Sequence, residues 1–171
     1  SEEGRQAICD KAAVVYGIGR LDSEVFQLKK HIKKEECVIG YVGTLGKAKI
    51  HPRYVDFCAE VIRKVPTCRF LMVGDTEEAG WLLEEIEQRG LQDYFQFTGY
   101  CNNVPEMLGR MDVFAYPLNP QHFGTTENVI LEAMLSGLPV VLLNQNTEKY
   151  IVDDWETGVL IRTKEEYAEA I

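Results

Sequence analysis

The sequence predicts an α/β fold, a Rossmann-like three-layer sandwich whose mainly parallel sheet is covered by helices on both faces. Two observations carry this prediction. Short strand-forming runs alternate with helical patterns along the chain, and such alternation builds crossover units rather than hairpins. The strand runs are apolar at consecutive positions, as expected of strands buried on both sides.

The elements follow in order. "AAVVY" (12–16) reads as a strand run and leads into a polar, glycine-punctuated stretch to residue 36. "CVIGYVG" (37–43) is a continuous apolar strand ending at a glycine. In "HPRYVDFCAEVIRKV" (51–65), Tyr54, Cys58, Val61, Ile62 and Val65 recur at helical spacing, and Pro52 suits a first helical turn. "CRFLMVG" (68–74) is a second strand into glycine. "EEAGWLLEEIEQRG" (77–90) carries acidic residues at its start, Arg89 near its end and Gly90 as a stop, so it predicts a helix. Strand "YFQFTG" (94–99), helix "VPEMLGR" (104–110) and strand "DVFAYPL" (112–118) come next. A helix near 128–136, strand "PVVLL" (139–143), strand "GVLI" (158–161) and helix "KEEYAEAI" (164–171) complete the chain.

Composition bounds the function. With 171 residues, 46% hydrophobic and 26% charged, the chain suits one compact domain. A formal net charge of −9 gives the whole domain no electrostatic footprint for nucleic acid. No apolar run approaches the roughly 18 residues that span a bilayer, and "SEEGRQAICDKA" lacks the regions of a signal peptide. A cytoplasmic location is expected, with a peripheral membrane position open to a longer protein. Five scattered cysteines (Cys9, Cys37, Cys58, Cys68, Cys101) read as reduced core residues. The three histidines (His31, His51, His122) lack the spacing of a zinc site, and no metal is expected.

In a parallel sheet, ligands bind outside the carboxyl ends of the strands. That rule points at loops 43–50, 74–77, 99–104, 118–127 and 144–148. "GTLGKAK" (43–49) fails as a P-loop, because Tyr41 and Ala48 stand where glycine and a hydroxyl residue are needed. "YGIGRLD" (16–22) fails as a dinucleotide fingerprint, since Asp22 replaces the third glycine. Asp75 and Asp112 do not form the acidic pocket of a receiver domain. The glycine-rich exit at 43 still leaves backbone N–H groups beside Lys47 and Lys49.

"PLNPQHFGTTENVILEAM" (117–134) is the informative stretch. Thr125 or Thr126 suits the N-cap of a helix starting near Asn128. The unpaired N–H groups and positive dipole end of that helix suit a phosphate or diphosphate. Glu132 falls one turn inside, among apolar neighbours, where a carboxylate can accept two hydrogen bonds from a ribose diol. Burial among those neighbours predicts a partner for it. Glu127 beside a phosphate is unfavourable unless it meets sugar hydroxyls or a lysine.

The run "VGTL…K…FLMVGD…FTGYCNNVPEMLGRMDVFAYPL…ENVILEAMLSGLPVV…ETGVLI" resembles the nucleotide-sugar-binding, C-terminal half of GT-B glycosyltransferases of the retaining family 4 type. "LEAMLSGLPVV" is its most specific piece. The resemblance implies a nucleoside-diphosphate sugar as donor substrate and no further cofactor. It places Glu132 on the ribose and Lys49 on the diphosphate. The family's first acidic residue maps to Gly124, so Glu127 is its nearest substitute, and a family arginine maps to Thr44, for which Lys47 can compensate. Asn128 and Val129 would offer backbone N–H groups to the diphosphate, Thr125 and Thr126 would meet sugar hydroxyls, and Tyr100 and Val104 would lie near the base.

On this resemblance, residues 1–36 link from a missing N-terminal acceptor domain, and 37–171 form the donor domain with a helix cut short. An isolated domain would bind nucleotide without turnover. The acceptor, glycan or lipid, is open, and nucleic acid is no partner. Two alternatives remain: a non-catalytic nucleotide-sugar-binding or interaction domain, or a GT-B-shaped epimerase or phosphorylase.

Overall fold

The computed structural model describes residues 36–122 and 127–171. The expected strand at 12–16 and nearly all of the expected linking segment lie outside those residues. Strands β1 (Cys37–Val42), β2 (Cys68–Val73), β3 (Phe95–Gly99), β4 (Val113–Tyr116), β5 (Val140–Leu143) and β6 (Val159–Ile161) form one sheet in the order β3-β2-β1-β4-β5-β6. Every strand pairing is parallel. Helices α1 (Tyr54–Lys64), α2 (Gly80–Gln88), α3 (Val104–Gly109), α4 (Asn128–Leu135) and α5 (Lys164–Ala170) provide the crossovers and close the chain. This is the α/β arrangement expected from the alternating pattern.

The order reverses between β1 and β4, so the crevice at their carboxyl ends is the topological switch point where such sheets hold ligands. The central strands end flush. Gly43 donates its N–H to the Val73 carbonyl, and Gly74 donates to Gly99. A Cβ on Gly74 would stand 1.9 Å from the Gly43 carbonyl oxygen, so only glycine lets these two exits lie side by side.

The interior of β1, β4 and β5 is closed by large side chains. Tyr41 stacks on Tyr116 at 4.8 Å between ring centroids, and Phe114 stacks on Tyr116 at 5.2 Å. Cys58 and Cys68 are buried, whereas Cys37 and Cys101 are half-buried at the margins. The cysteines thus belong to the core only in part.

Several helix ends differ from expectation. Pro52 precedes the Arg53 cap of α1 instead of lying in its first turn. Helix α2 begins at Gly80, so its first turn holds no acid. Glu77 donates its N–H to the Asp75 carboxylate and Ala79 to the Thr76 carbonyl, a turn that delays the helix. Arg89 is the C-cap of α2. Gly90 and Leu91 then return their N–H groups to Glu87 and Ile86, which closes a Schellman motif. Helix α3 is capped by Asn103, whose side chain accepts from Glu106 N–H and donates its amide to the Glu106 carboxylate.

Candidate functional site

The 43–50 loop after β1 is stitched onto the exit of β4. Ile50 and Leu118 form an antiparallel bridge, His51 donates to the Pro117 carbonyl, and Asn119 donates its backbone N–H to Lys49 and its side-chain amide to the Lys47 carbonyl. Two amides from the loop after β5 reach the same exit: Gln145 to the Leu118 carbonyl and Asn146 to the Pro120 carbonyl. Three loops are therefore held together at the switch point by backbone-directed bonds.

Within this frame Lys49 Nζ lies 2.5 Å from Oε1 of Glu127 and 5.8 Å from the centre of the Tyr116 ring. Tyr116 donates its hydroxyl to Oε2 of Glu127 at 3.2 Å. Burial holds the Tyr116 hydroxyl well above its ordinary pKa, so it remains a donor. The lysine that Glu127 requires beside an anion site is thus present, and both carboxylate oxygens are directed.

A second layer lies behind this pair. His122 Nδ1 is 4.0 Å from Oε1 of Glu127, and His122 Nε2 is 2.8 Å from Oε1 of Glu148. The Glu148 side chain is fully enclosed, and its Oε2 and the neighbouring Thr147 hydroxyl make no hydrogen bond among the described residues. The line Glu148–His122–Glu127–Lys49 leads from the interior toward the crevice. Sequence reasoning missed His122 and Glu148 as site residues, because Glu148 in "NTEKY" reads as a solvated charge and meets His122 only through the fold. Among the described residues no cluster of three or more His, Cys, Asp or Glu can hold a metal.

The remaining candidates are dispersed around the same edge. Thr44 is exposed, and its carbonyl accepts the Tyr41 hydroxyl. Lys47 stands 5.9 Å above the Trp81 ring and lines a groove beside α2 instead of joining the Lys49–Glu127 pair. Tyr100 is exposed after β3, and Val104 opens α3. Asn128 and Val129 are the first residues of α4. The expected threonine cap is replaced: Glu127 is the N-cap of α4 and makes no side-chain capping bond, because its carboxylate is engaged by Lys49 and Tyr116. Gly124, Thr125 and Thr126 lie outside the described residues.

Glu132 sits one turn into α4, half-buried, and burial raises its pKa. The partner expected for it is not found among the described residues. Helix α4 ends in a second Schellman motif: Gly137, at φ +73°, donates to Met134, and Leu138 donates to Ala133. Pro139 then accepts the Phe114 N–H and feeds β5, so "LSGLPVV" is a helix stop joined to a strand start.

The chain is similar to proteins of one kind. It is 28% identical over 126 residues to alpha-D-kanosaminyltransferase of Streptomyces kanamyceticus, covering 72% of this chain and 32% of that protein. It is 32% identical over 123 residues to 2-deoxystreptamine glucosyltransferase of the same organism, covering 69% and 31%. The chain thus spans about a third of the length of these curated relatives. Among solved structures, Anabaena HepE in complex with UDP-glucose aligns at a TM-score of 0.67 and 25% identity, over 78% of this chain and 37% of that one. Sucrose-phosphate synthase from Thermosynechococcus elongatus aligns over 99% of this chain and 46% of that one, at a TM-score of 0.73 and 18% identity. These neighbours share the Rossmann-like α/β fold of this chain. The profile described as glycosyl transferases group 1 matches residues 22–171, and the chain belongs to that family.

Proposed function

We propose that this chain is the donor-binding, C-terminal domain of a retaining, family 4-type glycosyltransferase, which moves a sugar from a nucleoside diphosphate to an acceptor. The observation that carries the reading is the Lys49–Glu127 pair at the switch point, at the start of α4 and one turn before Glu132. The names of the relatives and the UDP-glucose held by HepE support a nucleotide-sugar as ligand. Residues 37–171 would form the donor unit, preceded by the linking segment and an acceptor domain.

Departure of a diphosphate develops negative charge, and placed donors that stabilise it lower the barrier. An ammonium has three N–H donors. One is directed at Glu127, so Lys49 has two left for diphosphate oxygens without releasing the carboxylate. The N–H groups of Asn128 and Val129 add the positive end of α4. Glu132 would accept the ribose hydroxyls, and Glu127 would meet hydroxyls of the donor sugar. Its charge is tolerable there because Lys49 neutralises it.

A thermal-shift titration with UDP, GDP and ADP, with and without attached sugars, tests the reading. A ligand at 100 times its Kd adds about 2.7 kcal/mol, and each kcal/mol moves Tm by about 2–4 °C for a chain of this size. One diphosphate should stabilise the chain, with a further gain from one sugar. Lys49→Ala should weaken the diphosphate at least about tenfold while the free nucleoside changes little, since bonds to charged groups are worth about 1.5–3 kcal/mol. Equal losses for both ligands would remove Lys49 from the diphosphate. A second reading, a nucleotide-binding domain without sugar transfer, is favoured by the engagement of both Glu127 oxygens. It predicts no difference between a free nucleotide and its sugar form.

A further inference from the structure

We propose that the groove between α2 and the 119–121 loop is a second binding site, for a neutral saccharide laid against Trp81. Its assignment as an acceptor or product subsite rests on the glycosyltransferase reading; the binding itself does not. The groove encloses about 840 Å³, a volume suited to a small ligand, and Trp81, Lys47, Glu84, Gln88, Asn119 and Gln121 line it.

The floor and one wall are built in advance. Trp81 is half-buried, and its indole N–H donates to the Leu45 carbonyl at 3.2 Å, which fixes the ring plane. Asn119 is held by its bond to the Lys47 carbonyl at 2.8 Å, and its side-chain oxygen accepts the Gln121 N–H at 2.9 Å. An indole face is apolar, as is the C–H face of a pyranose, whose hydroxyls project around the rim. Lys47 Nζ stands 5.9 Å from the centre of that ring in the free protein, so a bound sugar takes its place over the indole and meets the displaced ammonium with its hydroxyls.

Charge decides the ligand class. Arg89 also borders the groove, but it is engaged by Asp56 at 2.8 Å and Glu85 at 2.5 Å. That leaves Lys47 and Glu84, one charge of each sign, with Glu84 also accepting from the Gln88 amide at 3.1 Å. The groove therefore has no cationic excess for a phosphate. It offers donors and acceptors of both kinds beside an aromatic face, a combination that a hydroxyl-rich neutral ligand satisfies. One loop supplies Lys47 to the groove and Lys49 to the ion pair, so the two sites adjoin.

The chain has two tryptophans, and Trp155 is outside the groove lining. In the 171-residue chain carrying Trp155→Phe, Trp81 is the sole indole reporter. Titration with methyl glycosides and disaccharides of glucose, galactose and N-acetylglucosamine, to tens of millimolar, should give a saturable emission change that persists under saturating UDP. By saturation-transfer NMR, Trp81→Ala should weaken binding at least about tenfold, equivalent to about 1.4 kcal/mol. Trp81→Phe should retain most of the binding, and exposed Glu84→Ala should weaken it severalfold without altering Tm.

The proposal is overturned by any of four results: no saturable change, equal binding by Trp81→Ala, competition by UDP, or shielding of Trp81 from acrylamide in the full chain. The last result would mean that the chain itself covers the groove. A UDP shift without a saccharide response sinks the groove alone. A saccharide response without any nucleotide shift keeps the groove and sinks the donor reading.

Discussion

Glu127 and Glu132, five residues apart, have opposite surroundings. The Glu127 carboxylate is partnered by Lys49 and Tyr116, whereas the half-buried Glu132 carboxylate makes no hydrogen bond among the described residues. Burial raises the Glu132 pKa, so the folded chain binds this proton more tightly than the unfolded chain. Its contribution to stability is therefore full below the unfolded carboxylate value, near about 4.3, and is lost as pH rises through the folded value. On the proposed function a ribose diol would supply the half-buried Glu132 carboxyl group with the partners it lacks among the described residues. Glu132→Gln should leave the free protein as stable or more stable by up to about 0.5 kcal/mol, and flatten this part of the pH dependence. The same variant should bind its nucleotide about tenfold more weakly, from loss of charge-assisted bonds. Denaturant midpoints from pH 5 to 8, with and without nucleotide, check both halves of this prediction. Weaker folding together with unchanged affinity would make Glu132 structural.

At the level of elements, helix stops are readable in the sequence, and so are the starts of α3, α4 and α5 at Val104, Asn128 and Lys164, whereas α1 and α2 start about three residues later than their patterns suggest. Gly90 lies immediately beyond the helix it was expected to end, because only a residue at ease at φ +65° completes that Schellman motif. Glu77 and Glu78 misled, since the Asp75 carboxylate diverts the backbone into a turn before α2 can form. The same limit explains the site. Lys49 and Glu127 were visible through their neighbours in sequence, whereas the His122–Glu148 pair joins residues 26 positions apart across two loops. Gly137 tests the helix stop most directly. Gly137→Ala should cost about 1–2 kcal/mol, the penalty for a side chain in the left-handed region, read as a lowered urea midpoint with an unchanged slope. An unchanged midpoint would show that the turn after α4 relaxes freely.

The sheet of the whole molecule has a stable centre and weak margins. β1 and β4 are paired on both sides, whereas β3 and β6 are edges and β6 is only three residues long. Amide exchange should therefore begin at β6 and at the half-exposed β3, and finish at β1, β2, β4 and β5. Protection of β6 equal to that of β1 would mean that the sheet opens only as one unit. The formal charge of −9 makes the chain a poor general binder of anions, so on the proposed function any diphosphate would have to be recruited by a few local donors around Lys49. Because all six strands point the same way, the crevice and the groove wall beside Asn119 share the carboxyl-end margin of the sheet. With Cys9, Cys37 and Cys101 replaced by serine, a cysteine placed at exposed Thr67, just before β2 on the opposite margin, would let the protein be tethered to a sensor chip with the crevice and the groove turned toward solution.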